Sequence, residues 1–228
     1  MKKINTYFLN GVKDSYPIVL GYLPIGIAFG VLASSTGISP LGVLFISLIL
    51  FAGGAQFVVV SLLASFISGI SIIATVFVIN FRHFLMSSAY SKYFRKEKSI
   101  TLLILSFFVT DESFAVGINK AKYENKEFNS KYLLGVEITG YFAWALFTTI
   151  GAILANYIGD FEAFGLDFAL PAMFIGLLAL LIKTKKELLA CILTGILAVF
   201  LYTTPLQSFS IIISSVLVSL ILVGGSHD

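Results

Sequence analysis

Two stretches of the chain, Ser15 to Phe81 and Leu188 to Ser226, contain no Asp, Glu, Lys, Arg or His. No water-facing surface can be built from runs of that length. Between them lie shorter apolar stretches, Ser99 to Thr110, Ile138 to Gly159 and Phe168 to Ile182. A spanning helix needs about 20 apolar residues, so the pattern predicts six to eight membrane segments. The expected fold is all-α, a polytopic helical membrane protein of about seven segments, some broken or re-entrant, with residues 1–228 forming a single transmembrane transport domain.

Glycine and proline punctuate these segments. The first, Tyr16 to Ser34, carries Pro17, Gly21, Pro24, Gly26 and Gly30, residues that remove a backbone donor or weaken a helix. It is expected to be kinked or discontinuous. The second, Leu41 to Phe66, holds Gly53, Gly54, Ala55 and Gln56 at mid-depth, and the third, Ile70 to Tyr90, holds Asn80, Arg82 and His83. The last uncharged run divides at Pro205, where Thr203, Thr204 and Pro205 predict a tight turn.

Composition agrees: 58% of the residues are hydrophobic and 12% charged, against about a quarter charged in a soluble domain. The net charge of +3 arises from Lys and Arg gathered at segment ends, the pattern of topology determinants rather than of a nucleic-acid surface. The start, with Lys2, Lys3, Lys13 and Asp14, resembles a signal-anchor more than a cleaved leader. Basic clusters at Lys92 to Lys98 and Lys120 to Lys131 predict two cytoplasmic loops. Asp160, Glu162 and Asp167 predict an outer loop, and Lys183, Lys185 and Lys186 an inner one. If every apolar segment spans, the Lys92 to Lys98 loop falls on the wrong side. The conflict disappears if segment one and Ser99 to Ile118 each enter and leave on the same side. The alternative is seven plain spans that violate the charge rule.

Charged and amide side chains inside a membrane are costly and mark sites or helix contacts. Arg82 either snorkels to the headgroups or offers a bidentate donor to a carboxylate, whether a solute's or that of Asp111 or Glu112. His83 titrates near neutrality and suits proton transfer. Thr110 and Asp111 either cap a half-helix or, with Glu112, form a proton site, and the two roles are compatible. Gly53 and Gly54 fit a close helix crossing. Gln56 either glues helices or holds a solute's polar group, and Asn80 shares a helix face with His83. Glu137 reads as interfacial, while Trp144 and the Tyr residues read as interfacial or packing residues.

Phosphate-loop, zinc-protease and nucleophile-elbow motifs are missing, as is any Cys pair, so an enzyme is not expected and no cofactor is implied. The lone Cys191 reads as a buried small hydrophobe.

Five stretches together are similar to the AzlC-like branched-chain amino acid exporters: Tyr16 to Gly30, Phe51-Ala-Gly-Gly-Ala-Gln-Phe57, Ile79-Asn-Phe-Arg-His-Phe-Leu-Met86, Thr110-Asp-Glu-Ser-Phe-Ala115 and Leu166 to Ile175. The resemblance runs from about residue 10 to residue 220. It implies export of valine, leucine, isoleucine or methionine, and of analogues such as azaleucine, driven by an ion gradient, with a small AzlD-like membrane subunit as partner.

Together the residues and the resemblance predict alternating access around a midplane pocket. Gly53, Gly54, Gln56, Asn80, Arg82 and Pro24 are its expected substrate-binding residues, walled by Phe29 and Phe57. Asp111, Glu112 and His83 are its expected proton-coupling residues. The rival reading is a non-transporting assembly subunit whose polar residues sit in a dry core and bind a partner.

Overall fold

The computed structural model describes residues 2–123, 128–155, 184–206 and 210–224, with positions 157, 175, 178, 179 and 182. The Gly159 to Asp167 loop and most of the Phe168 to Ile182 segment lie outside the described residues. Among the described residues the elements are all helices: α1 Lys2–Asp14, α2 Tyr16–Ser35, α3 Pro40–Ile49, α4 Gly53–Ala64, α5 Gly69–Tyr90, α6 Ser99–Phe108, α7 Asp111–Tyr123, α8 Ser130–Leu154, α9 Lys185–Tyr202 and α10 Ser210–Gly224. They belong to two compact units, residues 1–177 and 178–228.

Among the described residues three helices, α2, α5 and α8, are long and apolar enough to cross a membrane. At 1.5 Å per residue, α3, α4, α6 and α7 reach roughly 15–20 Å, about half of the ~30 Å apolar core. Local chemistry starts and stops these helices. The Ser39 hydroxyl accepts from the Gly42 amide at the start of α3, with Pro40 in the first turn. The Asn129 side chain accepts from the Lys131 and Tyr132 amides at the start of α8. The chain leaves helical geometry at Leu50 to Ala52 and again at Val109 to Thr110.

Contacts with α8 set the direction of each element in the first unit. Ile18 and Tyr22 of α2 lie against Gly140, Gly26 against Phe147 and Thr148, and Gly30 against Thr148, Gly151 and Ala152, so α2 and α8 run parallel. A side chain at Gly30 or Gly151 would collide with backbone of the other helix, the close approach that small residues permit inside membranes.

From the far end of α8, α3 descends. Ser47 bonds Thr148 (2.8 Å) and the Leu48 carbonyl accepts from the Tyr141 hydroxyl (3.0 Å). Then α4 turns back: Gly53 lies under the Trp144 ring, and Phe57 meets Phe29, one residue before Gly30. The pair α3–α4 is therefore a re-entrant hairpin.

The pair α6–α7 is a second hairpin, entering from the opposite end. Phe108 packs on Tyr141 at mid-depth, and α7 returns until Lys120 pairs with Asp14 (3.3 Å) beside Tyr132. Its two ends are tied together, since Ser130 donates to Glu97 and Phe128 packs on Tyr90, Tyr93 and Phe94. Both basic loops and the end of α1 thus sit at one end of this unit.

One expectation is corrected: α2 is continuous through Pro24. Proline withholds a hydrogen bond from the Leu20 carbonyl, but both residues are on the exposed side of the helix. Two of the glycines expected to break the segment, Gly26 and Gly30, pack it against α8 instead, while Gly21 faces open space. The hairpin near the N-terminus is segment two, and the Ser99 to Ile118 hairpin stands as read. This restores one side for all the basic segments of the unit.

A spanning helix followed by a half-depth hairpin occurs twice, as α2 with α3–α4 and as α5 with α6–α7. The two copies run in opposite directions, which is the arrangement of an inverted repeat.

In the second unit α9 and α10 pack together. Thr184 and Glu187 form a capping box at the start of α9, and a turn at Thr203 to Leu206 ends it, as the Pro205 reading predicts.

The two hairpins place Ser39 and Tyr123 at opposite ends of the first unit. In a Cys191→Ser background, single cysteines at these positions should react with an impermeant maleimide from opposite faces of the membrane. Labelling of both from one face would contradict the arrangement.

Candidate functional site

The tips of the two hairpins meet. Phe51, Ala52, Gly53 and Gly54 from one, and Thr110, Asp111 and Glu112 from the other, line a cavity closed by Tyr22, Trp144, Arg82 and His83. Its volume is about 10 Å³, room for about one water molecule. In this arrangement the site is shut to anything the size of an amino acid.

Each tip has its own chemistry. In the first, Ala52 stands at the N-cap of α4 and has no side chain to accept from the first-turn amides. Those amides and the positive end of the helix dipole face the cavity through Gly53 and Gly54. In the second, Thr110 and Ser113 cap α7 reciprocally: the Thr110 amide donates to Ser113 Oγ (2.9 Å) and the Ser113 amide to Thr110 Oγ1 (3.3 Å). Asp111 and Glu112 are thereby first-turn acids rather than the cap itself.

The two acids have different partners. Asp111 Oδ2 pairs with Arg82 Nη1 at 2.6 Å, with about a quarter of each side chain exposed. Arg82 Nε is buried without a hydrogen-bond partner, so the guanidinium has a donor to spare. Glu112 Oε2 accepts from the Tyr22 hydroxyl at 2.8 Å, and the same hydroxyl lies 3.1 Å from Thr110 Oγ1. His83 Nδ1 is 3.1 Å from the Asn80 carbonyl. A carbonyl only accepts, so Nδ1 carries a hydrogen, and in the neutral ring Nε2 is then an acceptor.

Of the residues expected to bind or couple, six line this cavity: Gly53, Gly54, Arg82, His83, Asp111 and Glu112. The other three lie elsewhere. Gln56 is fully buried behind the cavity, its Nε2 donating to the Ile46 carbonyl (3.1 Å) and its Oε1 accepting from Trp144 Nε1 (2.7 Å). This ties the two arms of the first hairpin to α8 and commits both ends of the amide to the protein. Asn80 faces an apolar groove of about 700 Å³ with Leu50, Val59, Ile72 and Phe77. Pro24 is on the exposed side of α2.

Tyr22 and Trp144 belong to the site although their residue types pointed to packing. The Trp144 ring meets Tyr22 edge-on at 5.0 Å and stacks on Phe29 at 6.2 Å, and the side chain is 2% exposed. Position carried a signal for Trp144. It falls in the middle of an apolar segment, away from the interfaces where tryptophan usually anchors.

A family model described as AzlC protein matches residues 17–158, which contain the whole site. The chain is 33% identical over 222 residues to the inner membrane protein YgaZ of Escherichia coli strain K12, covering 94% of this chain and 90% of that protein. It is 32% identical over 210 residues to an uncharacterized membrane protein of Archaeoglobus fulgidus, covering 90% and 89%. With the branched-chain amino acid transport protein AzlC of Bacillus subtilis strain 168 it shares 30% identity over 169 residues, 74% of this chain and 65% of that protein. No solved structure matches.

Trp144 is the sole tryptophan, so intrinsic fluorescence reports on this site. Gln56→Ala leaves a buried indole N–H unpaired, which costs about 1–3 kcal/mol. The expected outcome in detergent is a lower unfolding temperature and a shifted emission maximum. Unchanged emission would argue against the Gln56–Trp144 bond.

Proposed function

The chain belongs to the AzlC family, a multi-pass membrane protein of the cell membrane, and we propose that it is a proton-driven secondary transporter exporting branched-chain and similar apolar amino acids, methionine included. The basic end of the first unit faces the cytoplasm in this reading, in accord with the positive-inside rule.

One observation supports the reading above the rest. A guanidinium with a spare donor meets a carboxylate where two half-helices from opposite ends come together. An amino acid brings both charges needed there. Its carboxylate competes with Asp111 for Arg82 and gains the α4 amides at Gly53 and Gly54. Its ammonium takes the place of the guanidinium at Asp111. The zwitterion thus replaces one internal ion pair with two, so no bare charge is created at mid-depth.

The walls of Phe51, Tyr22 and Trp144 suit an apolar side chain. Glu112, which accepts from the Tyr22 hydroxyl and has no cationic partner among the described residues, is the carboxyl of the pocket that takes up and releases the coupling proton, with His83 beside it. The inverted repeat supplies a route to alternating access, in which the two hairpins exchange roles as the open and closed gates. The assembly-subunit reading fits Gln56, which is buried and bonded at both ends of its amide, and does not fit Arg82. The small partner subunit belongs to this proposal through the family resemblance alone, and the branched-chain substrate through the printed name of the Bacillus relative as well.

Proteoliposomes loaded with radiolabelled leucine test it. Acidifying the outside should drive leucine out through the wild-type protein. Arg82→Ala should weaken apparent leucine affinity by roughly 10- to 100-fold, the range expected for a lost charge-assisted bond of about 1.5–3 kcal/mol. Exit that ignores outside pH would remove proton coupling, and no exit from wild-type vesicles, with or without the small subunit, would remove transport.

A further inference from the structure

Glu137 is the most enclosed acidic side chain among the described residues, at 1% exposure, and it lies outside the cavity between the hairpin tips. The sequence places it near an interface, but the fold buries it. It stands on α8 one turn closer to the basic end than Tyr141 and one turn past Leu133, which packs at Gly117 of α7. Both of its carboxyl oxygens are buried without a hydrogen-bond partner.

Several titratable groups of the surrounding elements are engaged elsewhere. Tyr90 of α5, the group within electrostatic reach of Glu137, directs its hydroxyl to the carbonyls of Ser113 and Phe114 at 3.3 and 3.2 Å. Asp14 of α1 accepts from Tyr132 and pairs with Lys120 of α7. Glu112 of α7 accepts from Tyr22 of α2, and Tyr141 of α8 donates to Leu48. A carboxylate anion in such a place would be stripped of water with no donor in exchange, whereas the neutral acid fits without that penalty.

A second feature shows where a proton could travel. Between α5 and α6, near the basic end, Ser87, Ser88, Ser91 and Ser106 line a cleft of about 350 Å³ whose wall includes Tyr90. Tyr90 borders this cleft, which the serines share with Phe84, Phe94, Leu102 and Leu105, and lies within electrostatic reach of the buried acid.

We propose that Glu137 is a second, internal proton carrier, protonated in this arrangement, that exchanges its proton with the basic face of the protein through the Tyr90 and serine cleft. The proposal rests on the proton-driven transport reading and adds a site between the central cavity and the cytoplasmic side. In the exchange the carboxyl O–H bond breaks, its electron pair stays on Glu137 and the proton passes to water in the cleft. Protonation is the reverse.

The test uses the full-length protein in proteoliposomes and the isosteric variant Glu137→Gln, with two readouts. Infrared difference spectra across a pH titration in H₂O and D₂O should show a protonated-carboxyl band in the wild type that Glu137→Gln lacks. Leucine exchange at equal pH on both sides should persist in the variant, while uphill leucine exit driven by a pH gradient should be lost. Gradient-driven exit at the wild-type level, loss of exchange together with uphill exit, or an unchanged carboxyl band would each overturn the role. If the wild-type protein moves no leucine at all, the transport reading fails by that result and the infrared arm alone decides whether Glu137 holds a proton.

Discussion

A chain that reverses direction halfway through a bilayer exposes amides and carbonyls that lipid cannot satisfy. This protein does so at two places, and the remainder of the first unit is organised around meeting that demand. On one face of α8, Tyr141, Trp144 and Thr148 reach three successive groups of the first hairpin: the Leu48 carbonyl, the Gln56 amide and the Ser47 hydroxyl. The second hairpin is held from α2, where one tyrosine hydroxyl serves both Glu112 and Thr110. The parallel pair α2 and α8 reaches both tips, and that pair lies close because Gly26, Gly30 and Gly151 carry no side chains.

The same demand explains why the polar residues of the site occur in short bursts of sequence. Gly53 and Gly54, Arg82 and His83, and Asp111 and Glu112 are all placed at one depth by elements that arrive from opposite ends. A solute bound there would touch helix termini rather than helix sides.

Much of this was legible in the sequence. Thr110, Asp111 and Glu112 inside an apolar run marked the second break, and the charge rule called for hairpins to reconcile the Lys92 to Lys98 and Lys120 to Lys131 loops. The first break was assigned to the wrong segment, because glycine in a membrane helix has two physical meanings. At Gly26 and Gly30 it permits close packing; at Gly53, beside the bare N-cap Ala52, it ends a hairpin tip. Which meaning applies depends on the helix opposite, and that information lies more than a hundred residues away at Thr148 and Gly151. Gln56, Trp144 and Glu137 were obscure for the same reason, since an amide, an indole or a carboxyl in an apolar run does not declare its partner.

The three spans are held very unequally. Half of the residues are buried in the apolar stretches of α2 and α8, against 11% in that of α5. The helix that brings Arg82 to the site is thus the one with least protein around it, its position governed by the Arg82–Asp111 pair, by Tyr90 and by whatever medium wets its outer face. Whatever covers that face, lipid or another protein surface, therefore takes part in setting the ion pair.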